Sequence, residues 1–172
     1  DNNSHNFLSK IADIVTFPKY DKICNVRSVP GVNSSYKREV VEQIGEYDQS
    51  LFRGEDVDYN WRVKNLGWKI LYIPEIKVKH IHRSTWIDLL SQHYMYGKAN
   101  YLVRKKWPNM YAPYPLSIDS IYLLMKYIAS WLWFPFKDAY YKSKKMNHNI
   151  NGFEFLTILI INLANRIGIF MQ

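Results

Sequence analysis

Proline and glycine cut the first 75 residues into pieces too short for a long-helix bundle. Pro18, Pro30-Gly31, Gly45, Gly54, Gly67 and Pro74 recur every 7 to 15 residues. Proline cannot continue a helix, and glycine readily takes the left-handed turn that closes one. Between these stops the hydrophobic spacing alternates in kind. Phe7, Leu8, Ile11, Ile14 and Val15 recur at helical spacing, and Pro18 ends that helix. Residues 23–29 form a short strand, and Ser34-Ser35 caps a helix from Lys37 to Ile44 that Gly45 closes. Residues 46–54 are loop. A helix then runs from Glu55 to Asn65, with Gly67 just beyond. Residues 68–73 are a strand stopped by Pro74, and 76–82 alternate with period two as another strand or extended edge. A helix over 85–106 ends before Trp107-Pro108. Short helices interleaved with short strands make the fold class α/β.

After the proline-rich turn at 113–115 the character changes, so 1–110 and 111–172 read as separate units. Residues 116–136 are long and apolar enough to span a bilayer. On a helical wheel, however, Asp119, Lys126 and Ser130 fall close together. One polar stripe favours a helix lying in a membrane interface over one packed on the domain or crossing. Residues 137–148 are a basic linker, and 153–171 a second apolar helix interrupted by Glu154, Asn162, Asn165 and Arg166. The net charge of +8 is uneven: +2 over residues 1–86 and +6 over the remainder. With 14 Tyr and 6 Trp, the composition suits an interface, a sugar-handling cleft or simply a well-filled core. A basic, aromatic second half suggests an anionic partner: lipid headgroups, nucleic acid or a phosphorylated substrate. The basic residues of the first half are scattered and no RRM, KH or helix-turn-helix pattern is present, which argues for no nucleic acid. The single Cys24 offers no internal disulfide and fits a reducing compartment. The opening residues DNNSHNF lack a signal-peptide pattern and an initiator Met, as expected of a fragment or processed product.

The chemistry concentrates in residues 31–83. Glu55, Asp56 and Asp58 start a helix. Carboxylates there interact favourably with the helix dipole, and crowding three of them also suits one for work as a general base. His80 and His82 are spaced to face one side of an extended segment, as metal ligands or as hydrogen-bonding residues. No zinc-spaced cluster, phosphate-binding glycine loop or serine nucleophile elbow is present.

The order of pieces is specific: Gly31-Val32-Asn33, a hydrophilic helix closing in Gly45, Tyr47-Asp48, Gly54-Glu55-Asp56-Val57-Asp58, Arg62, the run Gly67 to Pro74, then Val78-Lys79-His80. Over residues 1–105 it resembles the second half of the catalytic domain of family 2 glycosyltransferases, which have the GT-A fold. The resemblance implies that Asp56 is the catalytic base, with Glu55 as its neighbour and substitute. It implies His80 as a metal ligand, with His82 a diphosphate contact or a surface residue. It implies that Gly31 and Asn33 line the donor and acceptor cleft. Arg83, Gln92 and Lys98 would lie over the donor diphosphate. Arg62 matches a recurrent position that a structural ion pair explains equally well.

One departure matters. The family carries its nucleotide and metal on a D-x-D motif in the first half of the domain, and no D-x-D occurs here before residue 30. The sugar-nucleotide half is therefore expected elsewhere, and this chain alone is not expected to catalyse. The whole enzyme would move a sugar from a nucleotide-sugar donor to a glycan or lipid-linked acceptor hydroxyl with inversion. Mn²⁺ or Mg²⁺ would serve as cofactor, on the cytoplasmic face of a membrane. The alternative is a non-catalytic, membrane-interacting remnant of such an enzyme.

Overall fold

The computed structural model describes residues 5–17, 19–110, 114–144 and 151–171. Six helices and two strands follow the order α1 (Phe7–Thr16), β1 (Cys24–Val26), α2 (Arg38–Ile44), α3 (Glu55–Asn65), β2 (Ile70–Tyr72), α4 (Trp86–Lys106), α5 (Ile121–Lys144) and α6 (Gly152–Phe170). A single 3-10 turn covers Gly31–Asn33. The fold is α/β, with a two-stranded antiparallel sheet that pairs Cys24 with Tyr72 and Val26 with Ile70.

Helix starts are chemically defined. The Asn6 side chain accepts from the Ser9 N–H, and Thr85 from the Asp88 N–H. Asn151 and Glu154 form a reciprocal capping box at 2.9 Å each way. Helix α2 differs from expectation. Its N-cap is Lys37 without a side-chain cap, and the Ser34 hydroxyl turns back to the Gly31 carbonyl.

Two cores share the burial. Val26, Val40, Tyr59, Val63 and Ile70 join the sheet to α2 and α3. Leu8, Ile11, Leu89, Ile158 and Ile161 join α1, α4 and α6. The last apolar segment is therefore built into the molecule. It lies along α4 at backbone contact: a Cβ on Gly97 would stand 1.9 Å from the Asn165 carbonyl oxygen, and one on Gly168 1.9 Å from that of Tyr94. Only glycine allows this approach. Gly168→Ala should force the helices apart and cost roughly 2–3 kcal/mol, the upper part of the range for overpacking. Urea unfolding of the chain measures it, and an unchanged midpoint would contradict the close approach.

Residues 76–82 are irregular rather than a strand. Ile76 and Val78 are more than half exposed, so the alternation has no sheet face to bury. The basic linker is also partly helical, since α5 continues through Lys144. Lys145 and the remainder of that linker lie outside the described residues. The polar stripe faces water only in part, since Asp119 and Lys126 are exposed. Asp119 precedes α5, and Ser130 is buried and donates to the Tyr127 carbonyl at 2.7 Å. Much of what α5 exposes is apolar: Ile121 is 74% exposed, Met125 65% and Trp133 69%. Among the described residues one helix, α6, is long and apolar enough to cross a membrane, though a third of its apolar window is buried inside the protein.

Candidate active site

The α3 N-terminus sets the site. Asp56 sits in the first turn, and each of its oxygens accepts one backbone N–H. Gly31 donates to Oδ2 at 2.9 Å and Val57 to Oδ1 at 2.8 Å. A Cβ on Gly31 would come within 3.3 Å of the Asp56 Cβ, so glycine allows the turn to sit this close. Each carboxylate oxygen keeps a second lone pair for a further proton.

Asn60, one turn later and fully buried, holds the facing segment in place. Its amide donates to the Val29 carbonyl at 2.7 Å and to the Ser28 hydroxyl at 3.0 Å, and Tyr36 donates to its oxygen. Nothing in the local sequence singles Asn60 out beyond a polar residue four places after Asp56.

Asp58 points elsewhere. Its buried carboxylate receives the Arg62 Nε at 3.0 Å, the Trp107 Nε1 at 2.7 Å and the Lys106 Nζ at 2.7 Å. Lys106 also reaches Asp48 at 2.6 Å and, with the Ser50 donors, holds that carboxyl well below the usual range. Arg62 further donates to the Ile44 and Glu46 carbonyls. Arg62 is thus the structural ion pair, tying α3 to the end of α2. The three-carboxylate crowd dissolves, because Asp58 is committed to these donors. Asp56-Val57-Asp58 is the one D-x-D of the chain, and it cannot chelate through both carboxylates.

A cavity of about 480 Å³ opens beside Asp56, between the turn at Val29-Pro30 and helices α1, α4, α5 and α6. Thr16, His93, Tyr96 and Arg166 also line it. Burial pushes His93 down to about 3, with the charge of Lys142 adding to it, so the imidazole is neutral. Sequence reading missed His93 and Arg166 as site residues, because they come together only when α6 packs on α4.

The other expected residues lie around this cavity, not on its wall. Glu55 is exposed. Gly31 braces Asp56 from outside. Asn33 donates to the Ile76 carbonyl at 3.1 Å, which pins the irregular segment to the turn. The Arg83 side chain is exposed, and its carbonyl accepts from the Ser9 hydroxyl. Gln92 donates to the Tyr96 hydroxyl at 2.9 Å, and Lys98 sits over the Tyr94 ring.

His80 and His82 do share a side, with ring centroids 4.6 Å apart against Phe17. His82 is buried, not a surface residue, and its Nε2 lies 3.2 Å from Asp13. Burial pushes the His82 imidazole below its ordinary pKa, and Asp13 opposes that without reversing it. The buried Nδ1 of His80 has no hydrogen-bond partner among the described residues. Among the described residues no group of three or more His, Cys, Asp or Glu is arranged to hold a metal ion. The described residues alone therefore do not make up a complete metal site.

Comparison with known proteins identifies the family. The family model for glycosyl transferase family group 2 matches residues 1–166. A pre-mycofactocin glycosyltransferase of Mycobacterium tuberculosis is 28% identical over 92 residues, which is 54% of this chain and 20% of that protein. The succinoglycan biosynthesis protein ExoA of Rhizobium meliloti is 23% identical over 94 residues, 53% of this chain and 28% of that protein. A probable glycosyltransferase, YdaM, of Bacillus subtilis is 28% identical over 81 residues, 46% of this chain and 19% of that protein. The matched segment thus spans about a fifth to a quarter of these relatives. No solved structure matches the chain. With a family model matching nearly its whole length, this chain belongs to glycosyl transferase family group 2.

Proposed function

We propose that residues 1–110 are the acceptor-side part of a GT-A domain in an inverting glycosyltransferase, and that residues 111–172 help to hold it at a membrane. The carrying observation is Asp56. Its carboxylate is oriented by two backbone N–H groups and opens onto a cavity of about 480 Å³. Asp56 accepts the proton of an acceptor hydroxyl as that oxygen attacks the anomeric carbon of a nucleotide-sugar donor. One displacement inverts the anomeric configuration. The acceptor is a lipid-linked or surface glycan precursor, a reading that the succinoglycan relative's name supports.

A bound Mn²⁺ or Mg²⁺ would neutralise charge growing on the leaving diphosphate. His80 would give it one ligand through the unpartnered Nδ1, with the others supplied outside this segment; a nitrogen ligand favours Mn²⁺. Arg83, exposed next to this histidine pair, would contact the diphosphate, and Gly31 and Asn33 would shape the cleft rim. His80→Ala in the intact enzyme should raise the Mn²⁺ concentration for half activation by about 10-fold, the lower range for losing a supporting ligand. An unchanged metal dependence would remove His80 from the site.

The outward apolar face of α5 and the +6 charge of the second half support a peripheral or monotopic seat on the cytoplasmic leaflet. Trp133, Tyr140 and Tyr141 are exposed and suit headgroup depth, whereas Trp131 is half-buried against Tyr127 and Phe170. The chain should float with anionic vesicles and be partly released by high salt. Met125→Asp with Trp133→Asp should weaken partition by about 10²–10⁴-fold, since burying each side chain contributes on the order of 1.5–3 kcal/mol. Full release of the unaltered chain by salt alone would contradict apolar insertion, and retention through alkaline carbonate would show a spanning helix. Deleting residues 116–172 should not yield a soluble domain, because it strips α6 from Leu8, Ile11 and Leu89.

The enzymatic reading is tested by incubating the intact protein with a panel of nucleotide sugars, Mn²⁺ and membrane lipid extract. Release of a nucleoside diphosphate from one donor is expected. No release from any of them would leave the membrane-interacting remnant as the better account.

A further inference from the structure

Buried polar atoms in folded proteins nearly always have a partner, so an unpartnered one asks for a ligand. Six side-chain atoms among the described residues are buried without one, and three belong to residues lining the cavity beside Asp56: Thr16 Oγ1, His93 Nε2 and Arg166 Nη2. Arg166 is the most unusual. It is 4% exposed, carries a permanent charge, and among the described residues no carboxylate lies within ion-pair distance of it. Its guanidinium face rests on the Phe134 ring at 4.4 Å and near the Tyr114 ring at 5.5 Å. That stacking steadies the flat face and leaves edge N–H groups to donate.

Asp138 pairs with Lys142 at 2.6 Å, and its charge also favours the Arg166 cation at longer range. Asp56 is oriented by its two backbone donors. Among the described residues on this wall, Arg166 is the buried cation without a direct ion pair. The Thr16 hydroxyl comes from α1. The Tyr96 hydroxyl on α4 accepts from Gln92 and keeps its own proton to donate. His93, neutral by burial, presents Nε2 from the same helix. Polar groups from α1, α4 and α6 thus line one cavity, a mixed set that suits an oxyanion with several acceptor oxygens.

We propose that the cavity seats a phosphate-ester oxyanion of the acceptor, with Arg166 as its charge partner and Thr16, His93 and Tyr96 as neutral donors. This rests on reading Asp56 as the acceptor-side base, because it makes the phosphate part of the molecule whose hydroxyl Asp56 deprotonates. The uncommitted charge of Arg166 is then a specificity element, placed so that an uncharged sugar alone binds poorly.

Calorimetric titration of the 172-residue chain tests it, with inorganic phosphate, octyl phosphate and uncharged octanol as ligands. Octyl phosphate should bind, and Arg166→Gln should weaken it about 10–100-fold, the usual worth of a charge-assisted contact. Thr16→Val is nearly isosteric, and should weaken it about 3–10-fold. That variant decides the matter if Arg166→Gln fails to fold by circular dichroism. Octyl phosphate binding well above inorganic phosphate assigns a lipid phosphate, and equal binding of the two assigns a water-soluble phosphate ester. Octanol binding as tightly as octyl phosphate, no binding of either phosphate, or binding indifferent to both substitutions would overturn the proposal. The titration involves no donor sugar. Binding lost with Arg166 alongside normal turnover of an Asp56→Asn enzyme would sink the base and keep this site. Binding indifferent to Arg166 alongside a crippled Asp56→Asn enzyme would do the reverse.

Discussion

In the intact enzyme, Asp56→Asn should lower kcat by about 10²–10⁴-fold, the usual contribution of a positioned general base. The substitution keeps size, and an amide oxygen can still accept from the Gly31 N–H, so the turn over α3 should persist. On the proposed mechanism, what disappears is the group that takes the acceptor proton. The KM for the donor should hardly change, because the carboxylate acts on the other substrate. Glu55→Gln is the control. Glu55 is exposed and off the cavity wall, so its loss should cost less than about 10-fold. Steady-state kinetics on both variants checks the pair. A crippling Glu55→Gln beside a mild Asp56→Asn would exchange their roles.

Asp58→Ala should be the most destabilising single change at the site. Its fully buried carboxylate holds Arg62, Lys106 and Trp107, which link α3 to the end of α2, the loop at Asp48 and the end of α4. Removing it leaves two cations and an indole N–H facing an emptied, buried position. Breaking such a group from one side costs about 3–5 kcal/mol, a large part of the stability of an ordinary domain. Urea unfolding of the chain should show that loss, with the midpoint falling steeply. A shift under about 1 kcal/mol would mean that solvent replaces the carboxylate without difficulty.

Asp58 also shows where sequence reasoning runs out. The i, i+4 spacing of Asp58 and Arg62 is legible locally, as a helix-surface ion pair. The Lys106 and Trp107 donors, 48 and 49 residues away, are not, and they make the pair a buried junction. The helix over Glu55–Asn65 and the long helix ending before Trp107 were readable for the opposite reason: their stops and periodicity are local. Residues 76–82 carry a strand's alternation with no partner strand to pair with. Ser130 looked like part of a wet stripe because a helical wheel does not say which side a neighbour covers. Of the site itself, Asp56 and Gly31 are singled out by the motif order, but the hydrogen bond between them is not legible there, and His93 and Arg166 depend on glycines that let α6 lie against α4. The aromatic excess is shared out: Tyr36, Tyr47 and Tyr59 line a separate hollow of about 410 Å³, while α5 exposes Trp133 and Tyr141.

The central claim is a single displacement at the anomeric carbon, driven by a base on this segment. Proton NMR of the sugar product made by the intact protein tests it most directly, through the coupling constant of the new anomeric proton during the first turnovers. An α-linked nucleotide-sugar donor should give a β-linked product, with nucleoside diphosphate released in equal amount. An α-linked product, made with retention, would contradict a one-step displacement assisted by Asp56.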